Sequence, residues 1–213
     1  MIKITKSEKP PVLIDNEVNW TTEYLALIAG EEGIPQAARF RYRHEQIKRA
    51  LRAETHDKCI FCESKISHTF PGETDHIIPC SKDPTKIVDW HNLGYVCKEC
   101  NRKKSDYHDP AVPLLNPFVD DPEKHLLFLG PLVIARTGDL RGEITVSRLE
   151  LTRTALIERK IERIEKVKAL LDRANMFPEG EAREFIVRQA KEEASEDREY
   201  SATVKSYLLQ EAV

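Results

Sequence analysis

The sequence has no apolar run approaching the roughly 20 residues that a membrane-crossing helix needs. Its opening stretch, MIKITKSEKPPVLID, lacks the apolar centre of a secretory leader. No membrane role is expected, and the expected location is the cytoplasm. There is no internal repeat and no low-complexity tract, which excludes a repeat array and a disordered linker protein. Charge of one sign is not in excess: the formal net charge is -3, which names no partner because local clusters of opposite sign can cancel. Cysteine is scarce and odd in number, at five, so complete disulfide pairing is impossible. What remains is ordinary for a folded chain, with 213 residues, 40% hydrophobic and 32% charged. That length supports one substantial core or two small ones.

Residues 1–15 read as an extended lead, in which Pro10 and Pro11 are expected to exclude a helix. A short helix is expected from Trp20 to about Ala29, stopped by Gly30 and Gly33. A second is expected to open at Pro35 and to run unbroken to about Glu54, with Ala37, Phe40, Ile47 and Leu51 at helical spacing. From about His56 to Asp109 the chain is rich in Cys, His, Asn and Pro and poor in long periodic segments, as a small metal-organised module reads. After a Pro- and Asp-punctuated connector, short strands are expected at LLFLG, LVIAR and EITVS, with Thr137, Gly138 and Asp139 turning the chain. A long helix is expected from Leu149 to about Met176, its stripe formed by Leu156, Ile157, Ile161, Ile164, Val167, Leu170 and Leu171. Pro178 and Gly180 break it, and one or two helices follow. The expected divisions are 1–55, 56–110, 111–148 and 149–213.

Four of the cysteines form two C-x-x-C pairs, Cys59 with Cys62 and Cys97 with Cys100. Two intervening residues let both thiolates of a pair reach one ion from a tight knuckle, and two knuckles close a tetrahedral zinc site. In a reducing compartment this pattern favours metal over disulfides. Such a site has no open position, so its zinc is expected to be structural. The 34 residues between Cys62 and Cys97 exceed the roughly 15–20 of a zinc ribbon, so something is inserted between the knuckles. Cys80 is left over, read as an ordinary free cysteine, with a local role beside His76 left open.

The insert carries Asp75, His76 and Asn92, and Asn101 follows the last cysteine directly. Singly, each has an ordinary explanation as a turn, cap or loop residue; their order is what stands out. A carboxylate and an amide oxygen are hard ligands suited to Mg2+ or Mn2+. A neutral imidazole can take a proton from an attacking water, and the ion can neutralise the scissile phosphate. An asparagine between them can fix the connecting loop. Arg102, Lys103 or Lys104 can hold a flanking phosphate. His68, His91 and His108 carry no independent case.

These residues, C-x-x-C, DHIIP, WHNL and CKECNRKK, resemble the HNH nuclease family in its four-cysteine branch. The match spans about 45 of the 213 residues. The resemblance implies an α+β fold built on a ββα-metal nuclease core with structural zinc, flanked by N-terminal helices and a C-terminal helical region. It implies a hairpin carrying Asp75 and His76 and a helix carrying Asn101. His76 would be the general base, Asp75 and Asn101 the ligands of a catalytic divalent ion, and Asn92 the loop-ordering residue. The third motif position holds Asn rather than the family's final His, which implies a hard ion in place of catalytic zinc. The flanks, MIKITKSEKPP, LLNPFVDDPEKHLLF and SRLELTRTALIERKIERI, look like those of nuclease subunits from Septu-type anti-phage systems. Related proteins accompany some retrons, and such subunits act with an ABC-type ATPase.

The implied activity is metal-dependent cleavage of DNA, more readily than RNA, for defence. Two alternatives stay open: a zinc-organised module that binds nucleic acid or a partner without cutting, and a standalone restriction-type HNH nuclease. The stretch ARFRYRHEQIKRALR, with six Lys/Arg against one Glu, is either a phosphate-contacting face or a solvated helix. Residues 178–200 are net acidic, which suits a partner or dimer interface better than DNA.

Overall fold

A computed structural model of the chain describes residues 1–30, 33–66 and 71–211. The lead is extended only as far as Pro10, and it is anchored to the core: Met1 and Ile4 are buried, and Ser7 O accepts from Trp90 Nε1 at 2.8 Å. Helix α1 (Pro11–Ala29) begins at Pro11, not at Trp20. The first turn of a helix needs no N–H from its N1 residue, and the proline ring presets φ, so Pro11 starts the helix it was expected to forbid.

The expected second helix is three pieces: α2 (Gln36–Arg39), a single 3-10 turn at Arg41–Arg43, and α3 (Glu45–Glu54). The break lies at His44, which is extended at φ -53°, ψ 140° and caps α3 by accepting from Gln46 N on its own ring nitrogen. Arg41 pairs with Glu23 of α1, which ties the turn to the neighbouring helix.

The centre is a ββα unit. Strand β1 (Glu73–His76) pairs antiparallel with β2 (Leu93–Val96), Asp75 opposite Gly94 and His76 opposite Leu93. Helix α4 (Lys98–Lys104) follows at once. The turn into β1 needs Gly72, which sits at φ +61° with the Tyr95 ring 2.3 Å from where a Cβ would stand.

A second hairpin, β3 (Leu126–Leu129) with β4 (Leu132–Ala135), matches the first two expected strands. The third, EITVS, is instead part of helix α5 (Leu140–Arg148). Asp139 decides this by accepting from Gly142 N at 2.7 Å, so the turn at 137–139 feeds an N-cap rather than a strand. Helix α6 (Thr154–Asn175) starts later than Leu149, because Leu149 and Leu151 are buried in the preceding turn. Helices α7 (Glu181–Glu192) and α8 (Ser201–Gln210) complete an α+β fold.

One buried cluster joins the lead, α1, α3, both knuckles, β2, β3 and the start of α6, with Trp90, Tyr95 and Phe61 its largest enclosed side chains. A smaller cluster, Val167, Leu171, Ala190, Val204 and Leu208, packs α6, α7 and α8 together. Among the described residues no helix is long and apolar enough to cross a membrane.

Candidate active site

The two knuckles meet. The sulfurs of Cys59, Cys62, Cys97 and Cys100 all lie within 4.8 Å of one another, and those of Cys62 and Cys97 are 3.8 Å apart. Four thiolates around one ion at about 2.3 Å stand about 3.8 Å apart, so the pocket has the dimensions of a tetrahedral metal site. Cys97 also caps α4, its sulfur accepting from Cys100 N at 3.4 Å. Hydrogen bonds from the other three cysteines hold the Cys62 thiol well below its usual range, while burial drives Cys59 up. Cys100 is driven up by hydrogen bonding to the same neighbours. Without a cation the pocket does not favour four negative charges, which fits these sulfurs to a metal ion. Arg153, which precedes α6, reaches Cys100 Sγ at 3.7 Å, and Lys160 of α6 is buried nearby. Cys80 lies outside this group.

One strand away, β1 presents alternating faces. Thr74 and His76 are buried on one; Glu73 and Asp75 lie on the other, toward α4. Asn101 and Lys104, three residues apart on α4, meet that second face in two rungs. Asn101 Nδ2 donates to Glu73 Oε2, and Lys104 Nζ stands 3.1 Å from Asp75 Oδ2. Lys104 faces Asp75 Oδ2 as an ion pair, and among the described residues that buried oxygen has no hydrogen bond of standard geometry. Burial pushes the Asp75 carboxyl up, more than Lys104 offsets. A carboxylate and an amide side by side offer hard oxygen donors of the kind a divalent ion takes, with Lys104 as the carboxylate's present counter-charge.

His76 is buried and its Nε2 lies 2.8 Å from Ile87 O. A carbonyl only accepts, so Nε2 carries the proton and Nδ1 is the basic nitrogen of the neutral ring. Burial lowers the imidazole below its usual range, which favours that neutral form. Tyr42 packs edge-on against the ring at 4.5 Å. Asn92 pins the loop that supplies the carbonyl: Oδ1 accepts from Ile78 N at 2.8 Å, and Nδ2 donates to Ile78 O at 2.9 Å and Lys86 O at 3.4 Å.

The structure therefore sets Asp75 and Asn101 on the α4-facing side of β1, and His76 on the other side, where Asn92 braces the loop that its ring meets. The three candidate phosphate contacts diverge: Arg102 is exposed and pairs with Glu99, Lys103 pairs with Glu150, and Lys104 is fully buried against Asp75. His91 is exposed and His108 half-buried, and His68 lies outside the described residues. One neighbour, Glu73, was not singled out from the sequence and could have been found by strand alternation, two residues before Asp75. Tyr42 stood out only as an aromatic interleaved in the basic tract, and the structure packs it against His76.

Comparison with known proteins agrees with this geometry. Residues 59–113 match the family described as HNH endonuclease. The chain is 29% identical over 223 residues to the Septu protein PtuB of Bacillus thuringiensis, an alignment taking in 98% of this chain and 82% of that protein. It is 28% identical over 152 residues to the Septu protein PtuB of Bacillus mycoides (strain KBAB4), covering 56% of this chain and 51% of that one.

Proposed function

We propose that this chain, an HNH endonuclease over residues 59–113, is the effector nuclease of a Septu-type defence system, cutting DNA in concert with an ABC-type ATPase. One observation carries the chemistry: a buried, neutral His76 with its Nε2 committed to Ile87 O, following an Asp75 whose buried carboxylate pairs with Lys104. Zinc suits the four sulfurs, as a closed structural ion. Mg2+ or Mn2+ suits Asp75 and Asn101, and when bound supplies positive charge at the scissile phosphate and leaving oxygen.

His76 Nδ1 takes the proton of the attacking water, and the Ile87 carbonyl steadies the imidazolium that results. Asn92 keeps that carbonyl in place by holding Ile78 and Lys86. Exposed Arg102, with the basic tract behind Tyr42, offers cations for flanking phosphates.

The test is plasmid nicking with Mn2+, with and without the co-expressed ATPase, set against an RNA substrate. His76→Ala should lower cleavage by at least about 100-fold while metal content and circular dichroism persist. Chelation should stop the reaction and added Mg2+ or Mn2+ should restore it. An unimpaired His76→Ala protein would sink the mechanism; tight DNA binding with no cleavage under any condition would favour a binding module.

A further inference from the structure

We infer that Glu73 is a positioning residue whose carboxylate dictates which end of the Asn101 amide faces the catalytic cation, an inference that rests on Asp75 and Asn101 being that cation's ligands. The two ends of an amide have nearly the same shape and opposite chemistry: the oxygen accepts, the nitrogen donates, and only the oxygen can ligate a metal. A carboxylate accepts hydrogen bonds and donates none, so it selects the nitrogen end. Asn101 Nδ2 donates to Glu73 Oε2. The amide oxygen is thereby left for another partner.

The placement follows from two periodicities. Glu73 and Asp75 share a face of β1 because side chains alternate along a strand, and Asn101 and Lys104 share a face of α4 because they are three apart. Packing the faces together produces the Glu73–Asn101 and Asp75–Lys104 rungs side by side. Each ligand then has one fixed companion. Without Glu73 the amide is free to turn over and present its NH2 group to the ion. Partners that orient a metal ligand are commonly worth about 10–100-fold in metal affinity.

Glu73→Gln is the informative change. Glutamine keeps the size but can either accept or donate, so it no longer discriminates between the two amide ends. Asn101→Asp is the matched control, because a carboxylate has an oxygen at both ends and needs no orienting. Mn2+ affinity is measured on the full chain by electron paramagnetic resonance without DNA, with zinc content and melting checked. The Mn2+ dependence of nicking is followed in parallel. Glu73→Gln should weaken Mn2+ about tenfold, and its cleavage deficit should shrink as Mn2+ is raised. In the Asn101→Asp background the same change should leave Mn2+ affinity unaltered or tighten it, since it removes a like charge. A Mn2+ affinity within about twofold of the parent overturns the inference, as does an equal loss in both backgrounds, which would make Glu73 a ligand in its own right. Asp75→Asn separates the two layers: if it too leaves Mn2+ affinity unchanged, the proposed ion site is what fails.

Discussion

Asp75 and Lys104 form a buried ion pair in which the lysine is the more deeply enclosed partner, its side chain 2% exposed against 14% for the aspartate. The ammonium is the counter-charge of a carboxylate whose burial would otherwise disfavour ionisation. Lys104→Met removes it and should destabilise the fold by about 3–5 kcal/mol, the usual cost of stranding a buried charge. Saturating Mn2+ should recover more melting temperature in the variant than in the parent, because the ion replaces the lost charge. Equal stability of the two proteins in Mn2+-free buffer would contradict this.

The four sulfurs sit within the main buried cluster, where a shared ion would tie the two knuckles together. Cys100→Ser should lose the metal proposed there, zinc by expectation, and the cooperative thermal transition together, whereas Cys80→Ser should keep both. Arg153→Met, which removes the guanidinium 3.7 Å from Cys100, should release zinc faster to a chelating dye without unfolding the chain.

Asn92 is buried and donates or accepts three loop hydrogen bonds. Asn92→Ala leaves Ile78 N without its acceptor, and each lost buried bond is worth about 1 kcal/mol, with more for the stranded donor. A loss of about 2–4 kcal/mol is expected in urea denaturation, with zinc content intact. A variant within 0.5 kcal/mol (roughly the scatter of neutral substitutions) would show that the loop holds without it.

Lys6 is the group with the clearest pH signature. It sits between Glu54 Oε1 at 2.9 Å and Leu93 O at 2.8 Å, over the Trp90 ring, and burial lowers it to about 8 against the opposing pull of Glu54. Its pKa is depressed in the folded state, so between about pH 8 and 10.5 the unfolded chain holds the extra proton. Stability from this group therefore rises with pH across that window, by at most about 1.4 kcal/mol per unit. It is flat below the window. Denaturation of the parent against Lys6→Met at pH 7, 8 and 9.5 checks the sign; a difference that shrinks with rising pH would refute it.

The most legible features were those set by short covalent spacing. The two C-x-x-C pairs specify a knuckle each, and Asn101 must share a turn with Cys100, so the four-sulfur pocket and its attached amide could be read directly. The α6 stripe was legible only in part: Leu156, Val167 and Leu171 are buried as expected, but Ile161 is exposed and Lys160 is buried beside it. What escaped depended on partners distant in the chain. Residues 143–147 alternate like a strand, but the Asp139 cap recruits them into α5. Lys104 belongs by composition to a solvent-facing basic cluster, yet it is fully buried because Asp75 lies across from it. Pro11 shows that a residue's identity needs its position: the same ring that ends a helix from inside begins one from the edge.

The surroundings of the sulfur pocket bear on whether this nuclease could be transplanted. Arg153 reaches Cys100, Tyr200 Oη meets Ser64 Oγ at 2.9 Å, Ser201 Oγ donates to Glu63 at 2.9 Å, and Lys58 donates to Arg198 O at 3.1 Å. Every one of these contacts joins the first or second knuckle to residues beyond 150. A graft of 56–110 onto a foreign scaffold would carry the ligands but sever that collar, leaving Glu63 and Lys58 facing solvent or each other's vacancy. Swapping catalytic cassettes between such proteins would have to move the distal helices with the cassette, so recombination breakpoints should fall outside the pair rather than between them.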